Sequence, residues 1–264
     1  MGLLPLLLFL LLGGVVGTIA GLFGVGGGLV IVPALIWGLP LLDVSAEHTT
    51  HLAVGTSLAT IVVTSAAAIH AHQKRGAVLW HAFWRLTPGI LLGAWLGGVV
   101  AGVLDGPMLQ RVFGLFAILV GLYMLFGGRA KTHNLTPDAL LMSLTGGLIG
   151  LVSAVVGIGG GSMTVPFLSA TGVEMRKAVA TSSACGLPIA LAGALSFVFV
   201  GWGLEDLPAG SSGYVYWPAA LIIVVTSSLF APLGAALAHR LPGDRLKQLF
   251  ALFLLLIGGR LLLG

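Results

Sequence analysis

Gly24-Val25-Gly26-Gly27-Gly28, followed by Pro33, is matched by Gly157-Ile158-Gly159-Gly160-Gly161, followed by Pro166. Each motif closes an apolar stretch. A glycine run inside such a stretch interrupts a helix and frees backbone N–H and C=O groups, which hydrocarbon tolerates only where they line a polar cavity. Glycine also removes side-chain bulk, so a ligand can touch the chain itself. A helix that restarts after the break presents unpaired N–H groups and a partial positive charge, an anion site that needs no cationic side chain. Proline fits the first turn of such a helix, and Pro33 and Pro166 are expected in or near it. Gly24, Gly26, Gly27, Gly28 and Pro33, with Gly157, Gly159, Gly160, Gly161 and Pro166, are therefore candidate substrate-binding residues for a small anion. The competing reading is that both breaks are hinges or packing points. Two breaks in register favour a ligand.

Hydroxyls form the second constellation. Thr56 and Ser57 follow the first motif, and Thr181, Ser182 and Ser183 follow the second. Hydroxyls can donate to an oxyanion without a buried charge, or bond back to their own helix. Cys185, one turn past Ser182, is a candidate for the same cavity or a small apolar filler. As the single cysteine it excludes an intrachain disulfide. No Asp or Glu falls well inside an apolar segment, so a carboxylate proton relay is not expected. His48 and His51, just before Thr56, are the proton-coupling candidates, because imidazole titrates in the physiological range. His70 and His72 lack a third ligand at metal-binding spacing. The chain calls for no metal and no cofactor. Ser162, beside Gly161, lacks a Gly-x-Ser-x-Gly setting and a nearby deep histidine, which argues against a membrane-embedded hydrolase. No Walker motif is present.

The elements that carry these residues are helices in a bilayer. The chain is 58% hydrophobic and 8% charged, against roughly a quarter charged in soluble domains. Apolar units run from about Leu3 to Leu42, Leu52 to Ala71, Leu86 to Leu104, Met108 to Phe126, Ala139 to Ala170, Ala178 to Val200, Trp217 to Ala238, and Leu246 to Leu263. Turn residues separate several of them, as in Asp105-Gly106-Pro107 and Thr136-Pro137-Asp138. The first apolar run lacks a basic start and a small-residue cleavage site, and is expected to be retained as a helix. Gly93, Gly97, Gly98, Gly102, Gly146 and Gly150 are spaced for close helix packing. The net charge of +4 sits in short loops and speaks for orientation, not for nucleic acid.

The repeat extends past the glycines. Ala53-Val54-Gly55-Thr56-Ser57 matches Ala178-Val179-Ala180-Thr181-Ser182, and Leu109-Gln110-Arg111-Val112-Phe113 matches Leu246-Lys247-Gln248-Leu249-Phe250. The expected fold is an all-α polytopic membrane protein with two repeats, 1–131 and 132–264, forming one integrated bundle. Each repeat has about four hydrophobic units, and the first is glycine-broken. Simple crossing by all eight units splits the basic residues evenly between the two sides. If each broken unit returns to its own side, Lys74, Arg75, Arg85, Arg129, Lys131, Arg176, Lys177, Arg240, Arg245 and Lys247 all become cytoplasmic, leaving Arg111 and Arg260 outside. The positive-inside rule favours this arrangement, in which the halves are inverted.

With these residues in view, the sequence resembles the TauE/SafE family, sulfite exporters also grouped as 4-toluene sulfonate uptake permeases. The doubled Gly-x-Gly-Gly-Gly-x-x-x-x-Pro-x-Leu, at Gly24 to Leu35 and Gly157 to Leu168, carries the resemblance, with the Thr-Ser segments at Thr56 and Thr181. The resemblance implies a multi-pass transporter of the cell membrane. It implies secondary transport of sulfur-containing oxyanions such as sulfite or sulfoacetate, by alternating access and with proton coupling. An anion channel is the alternative, and a membrane-embedded enzyme a more distant one. The partners expected are a small anionic substrate and the lipid bilayer, with a homo-oligomer allowed.

Overall fold

The computed structural model describes residues 3–23, 27–42, 44–126, 138–238 and 243–263. Ten α-helices cover most of them: α1 (Leu3–Phe23), α2 (Gly28–Gly38), α3 (Ala46–Gln73), α4 (Trp80–Val103), α5 (Gly106–Phe126), α6 (Ala139–Val156), α7 (Gly161–Ala170), α8 (Met175–Val200), α9 (Trp217–Ala238) and α10 (Gly243–Leu263). A short 3-10 turn follows α2, and a two-stranded hairpin, Ser211–Ser212 with Val215–Tyr216, precedes α9. Helices dominate because hydrocarbon offers no partner for free peptide groups, and a helix satisfies its own. Side chains cap some starts: the Asp138 carboxylate accepts from the Leu141 N–H at 2.7 Å and the Asp105 carboxylate from the Met108 N–H at 2.6 Å.

Seven of these helices are long and apolar enough to cross a membrane: α3, α4, α5, α6, α8, α9 and α10. Two begin about a turn and a half before the apolar runs that announce them. The α3 helix starts at Ala46 and not Leu52, and α4 at Trp80 and not Leu86. The turns added to α3 are polar and those added to α4 rich in aromatics, and tertiary contacts hold them. His51 reaches the carbonyls of Ala101 and Leu104 at 3.0 and 3.1 Å, and the Trp80 ring N–H donates to Gln73 at 2.8 Å. Hydropathy does not register such turns.

Each glycine-broken unit packs against a helix far along the chain. The α6 helix lies along α4, and α1 along α9. The α4–α6 pair runs parallel, since Leu86 meets Gly146, Ile90 meets Gly150, and Gly97 meets Leu151. The glycines at this seam serve as the sequence suggests: a side chain on Gly93 would collide with the carbonyl of Gly147. Two other pairs run antiparallel. Along α3 and α8, Gly55 meets Phe197 and Ser65 meets Gly186. Along α5 and α10, Gly114 meets the Gly258 carbonyl and Gly121 the Ala251 carbonyl. The central core gathers Leu29, Val32, Leu58, Phe113 and Leu254, while Leu92, Leu148, Leu221 and Leu256 face outward as a lipid-compatible surface.

Gly93→Leu must separate α4 from α6, at about 1–3 kcal/mol or more by the measure of overpacked cores. The variant is expected to melt several degrees below wild type in detergent, and Leu92→Ala, on the outward face, is expected to melt with wild type.

Candidate functional site

The two breaks are built differently from the helices around them. Gly27 caps α2 with φ 79°, Gly157 closes α6 with φ 76°, and Gly160 caps α7 with φ 73°. These are left-handed conformations that glycine adopts without penalty. Gly24 and Gly26, with Val25 between them, lie outside the described residues. After its break the chain doubles back: Gly38, at the end of α2, lies against Leu12 of α1. The two breaks touch. A Cβ on Gly28 would stand 2.6 Å from the Gly157 carbonyl oxygen and 2.9 Å from Ile158 Cα. The Ser57 hydroxyl donates to that same carbonyl at 2.9 Å. Val54, Ser57 and Ile61, near the middle of α3, surround the meeting point, which lies at mid-depth in the bundle.

The prolines sit deeper than expected. Pro33 and Pro166 are each the sixth residue of their helices, in the second turn and not the first. The first turn of each opens on glycine, and its later N–H groups, those of Val30 and Ile31 and of Met163 and Thr164, bond to the carbonyl of Gly27 or Gly160. Proline instead removes the donor that would reach the carbonyl four residues earlier, that of Leu29 and of Ser162.

A cavity of about 360 Å³ opens beside the second break. Gly159, Gly161, Ser162 and Pro166 line it from the break, and Ser182 and Ser183 from α8. Thr64 and Ser65 of α3, Tyr123 of α5 and Phe250 of α10 complete it. The hydroxyl oxygens of Ser162 and Ser182 are buried and have no hydrogen-bond partner among the described residues. Ser182 is 1% exposed, and its oxygen lies 3.9 Å from the Cβ position of Gly161, the first residue of α7. The N–H groups of Met163 and Thr164 bond to the Gly160 carbonyl, whereas those of Gly161 and Ser162 have no acceptor among the described residues. Two amides and two hydroxyls at this break are thus unused donors among the described residues. The walls come from the C-terminal ends of α3 and α5 and the first turns of α8 and α10. Lys74, Arg75, Arg176, Lys177, Arg245 and Lys247 sit at those ends of α3, α8 and α10, so the mouth lies in a positive field that favours anions.

The remaining candidates are placed elsewhere. The Thr56 hydroxyl accepts from the Tyr216 N–H at 3.0 Å, and the Thr181 hydroxyl from the Leu79 N–H at 2.9 Å. Each threonine therefore seats the residue just before α9 or α4 and does not line the cavity. Cys185 is fully buried among apolar neighbours of α4 and α8, and lines no part of the cavity. The one-turn spacing from Ser182 put it near the site, but its small apolar side chain packs into the core. His48 and His51 lie at the opposite end of α3. His51 stacks on Tyr214 at 4.7 Å, and the Tyr214 hydroxyl is 3.4 Å from His48 Nδ1. Thr64 and Ser65 were not among the sequence candidates, although they follow Ser57 at helical spacing and share its face. Tyr123 and Phe250 carried no local signal and are brought in by tertiary packing.

Spanning-length helices around a cavity at a helix break define a multi-pass membrane protein. The profile of the family described as sulfite exporter TauE/SafE matches residues 9–261. The chain belongs to that family of membrane transporters. It is 41% identical to a probable membrane transporter protein of Haemophilus influenzae over 256 residues, covering 96% of each chain. A similarly described protein of Methanocaldococcus jannaschii is 29% identical, with 97% of this chain and 94% of the other covered. One of Xylella fastidiosa is 30% identical, with 93% and 90% covered. No solved structure matches the chain.

Thr56→Val leaves a buried N–H unpaired, worth about 1–3 kcal/mol, and Thr181→Val a half-buried one, toward the lower end of that range. Each is expected to lower the melting temperature of the purified protein, while Thr64→Val, whose hydroxyl makes only a 3.3 Å bond to its own helix, is expected to melt like wild type.

Proposed function

We propose that this protein is a secondary transporter that carries small sulfur-containing oxyanions, of the class of sulfite and organosulfonates, by alternating access around the break between α6 and α7. The observation that carries the reading is the pair of buried, unpartnered hydroxyls, Ser162 and Ser182, beside the free amides that open α7. Unpaired buried polar groups are costly, about 1–3 kcal/mol each, and an oxyanion supplies the acceptors they lack. A sulfonate or sulfite presents three such oxygens. Family membership supports the substrate class.

We further read the two halves as inverted repeats of 1–131 and 132–264. Their equivalent helices run antiparallel, α3 to α8 and α5 to α10, and each broken unit packs on the other half, α1 on α9 and α6 on α4. Thr56 and Thr181 hold equivalent amides. With basic residues inside, the cavity faces the cytoplasm and the Glu205-Asp206 loop lies outside. Leu29, Leu58 and Phe113 are packed in the buried core, which we read as a closed outer gate, favouring a carrier over an open channel. The Ser162 hydroxyl has no imidazole partner, which favours transport over hydrolysis. Proton coupling through His48 or His51 would act at a distance, through Tyr214 and the hairpin on Thr56.

Counterflow of sulfite, sulfoacetate, taurine, thiosulfate and sulfate in proteoliposomes, at two pH values, tests the reading. Ser182→Ala is expected to weaken the half-saturating concentration of the preferred anion about 5-fold or more, by the worth of a charge-assisted hydrogen bond. Gly160→Val, which forces a branched side chain into a left-handed conformation against Ile189, is expected to abolish flux in protein that still reaches the membrane. Wild-type kinetics in both variants would remove the site.

A further inference from the structure

The break between α6 and α7 has a second pole, made of acceptors. The hydroxyl oxygens of Ser153 and Thr164 are buried and unpartnered, and both residues are fully inaccessible to solvent. The last carbonyls of α6 add to them. Those of Ser153 and Ala154 accept from the N–H groups of Ile158 and Gly157, and that of Gly157 from Ser57. The carbonyls of Val155 and Val156, on buried residues, have no donor among the described residues. Gly160 links the two helices that carry these groups. The Cβ position of Gly160 lies 3.4 Å from the Thr164 hydroxyl and 3.6 Å from Ile149 Cγ2, and Ile149 is one turn before Ser153 on the same face of α6.

Neither pole resembles a packing defect. Of the buried unpartnered side-chain oxygens, those of Ser153, Ser162, Thr164 and Ser182 all belong to this break, and only that of Ser211 lies elsewhere among the described residues. Ser162 and Thr164 are matched at the first break by apolar Leu29 and Ile31, and Ser57, which matches Ser182, is spent on the Gly157 carbonyl. A helix C-terminus carries partial negative charge, so the end of α6 favours a cation as the start of α7 favours an anion. Half-helix C-termini and unwound carbonyls serve coupling cations in other transporter folds. The ligands here are hydroxyl and carbonyl oxygens, which select a hard ion. No carboxylate lies among the membrane-crossing helix interiors, and no group of three His, Cys, Asp or Glu side chains occurs among the described residues. Neutral ligands alone suit a single positive charge.

We propose that Ser153, Thr164 and the carbonyls of Val155 and Val156 bind one monovalent cation of sodium size, which couples to the anion at the other pole of the break. The coupling rests on the anion reading above, whereas the binding does not. Cation and anion then offset each other's charge at mid-depth, and each raises the other's affinity.

Purified protein is melted in NaCl and in choline chloride at equal concentration and fixed pH, without sulfite. Sodium is expected to raise the melting temperature by about 2 °C or more. The rise is expected to vanish in the Ser153→Ala, Thr164→Val double variant and to persist in Ser182→Ala. Equilibrium dialysis with radioactive sodium on the wild-type chain is expected to give one saturable site, a measurement independent of any variant's folding. In counterflow, sodium is expected to lower the half-saturating sulfite concentration about 5-fold or more. Identical melting in both salts, no saturable sodium, or a sodium response that survives the double variant would overturn the proposal and leave water or same-helix carbonyls as the partners of these oxygens. A sodium response without sulfite counterflow in any salt would instead overturn the anion reading and leave this one standing.

Discussion

A peptide group in hydrocarbon must find its hydrogen bond within the protein, and nearly every helix here does so by running unbroken. The exceptions are the two glycine breaks, and around them the rest of the bundle is organised. Close crossings at glycine let α6 lie on α4 and α1 on α9, which brings both breaks to the same depth. Ser57 of α3 then satisfies the Gly157 carbonyl, and Gly28 fits against it because it has no side chain. The balance of free amides, carbonyls and hydroxyls at the second break is what remains for ligands.

The breaks resemble each other in sequence but not in surroundings. The first is packed with Leu29, Ile31 and Val32, and the second is ringed by Ser153, Ser162, Thr164 and Ser182. Of two breaks alike in sequence, one is thus a polar centre. The apolar break supplies the wall against which the polar one is held. Unsatisfied groups cost stability, and concentrating them at one locus keeps that cost where binding offsets it.

The opposite end of α3 has a different task. His51 faces the carbonyls of Ala101 and Leu104 and stacks on Tyr214, whose own hairpin is seated on Thr56. Burial, with the charge of Glu47 next, raises the Tyr214 phenol above its ordinary pKa, so it remains neutral beside His48. This cluster ties α3, the end of α4 and the hairpin into one closed face. The cavity opens at the other face, where the basic residues lie.

The amino-acid sequence by itself determined the class of protein, the position of both breaks, and the candidacy of Ser182, Gly159 and Gly161. It could do so because hydropathy, glycine clusters and repeated spacing are local properties read along one chain. It also placed Thr56, Thr181 and Cys185 in a common site by proximity to Ser57 and Ser182. Tertiary structure separated them, since a helix sends neighbouring residues to different faces: Thr56 and Thr181 to the amides of Tyr216 and Leu79, Cys185 to the core. Only the folded bundle could bring Thr64, Tyr123 and Phe250 to one cavity, or show that Ser57 has a partner while Ser182 has none. Whether a hydroxyl is spent or available depends on what another helix offers it, and no pattern along the chain encodes that.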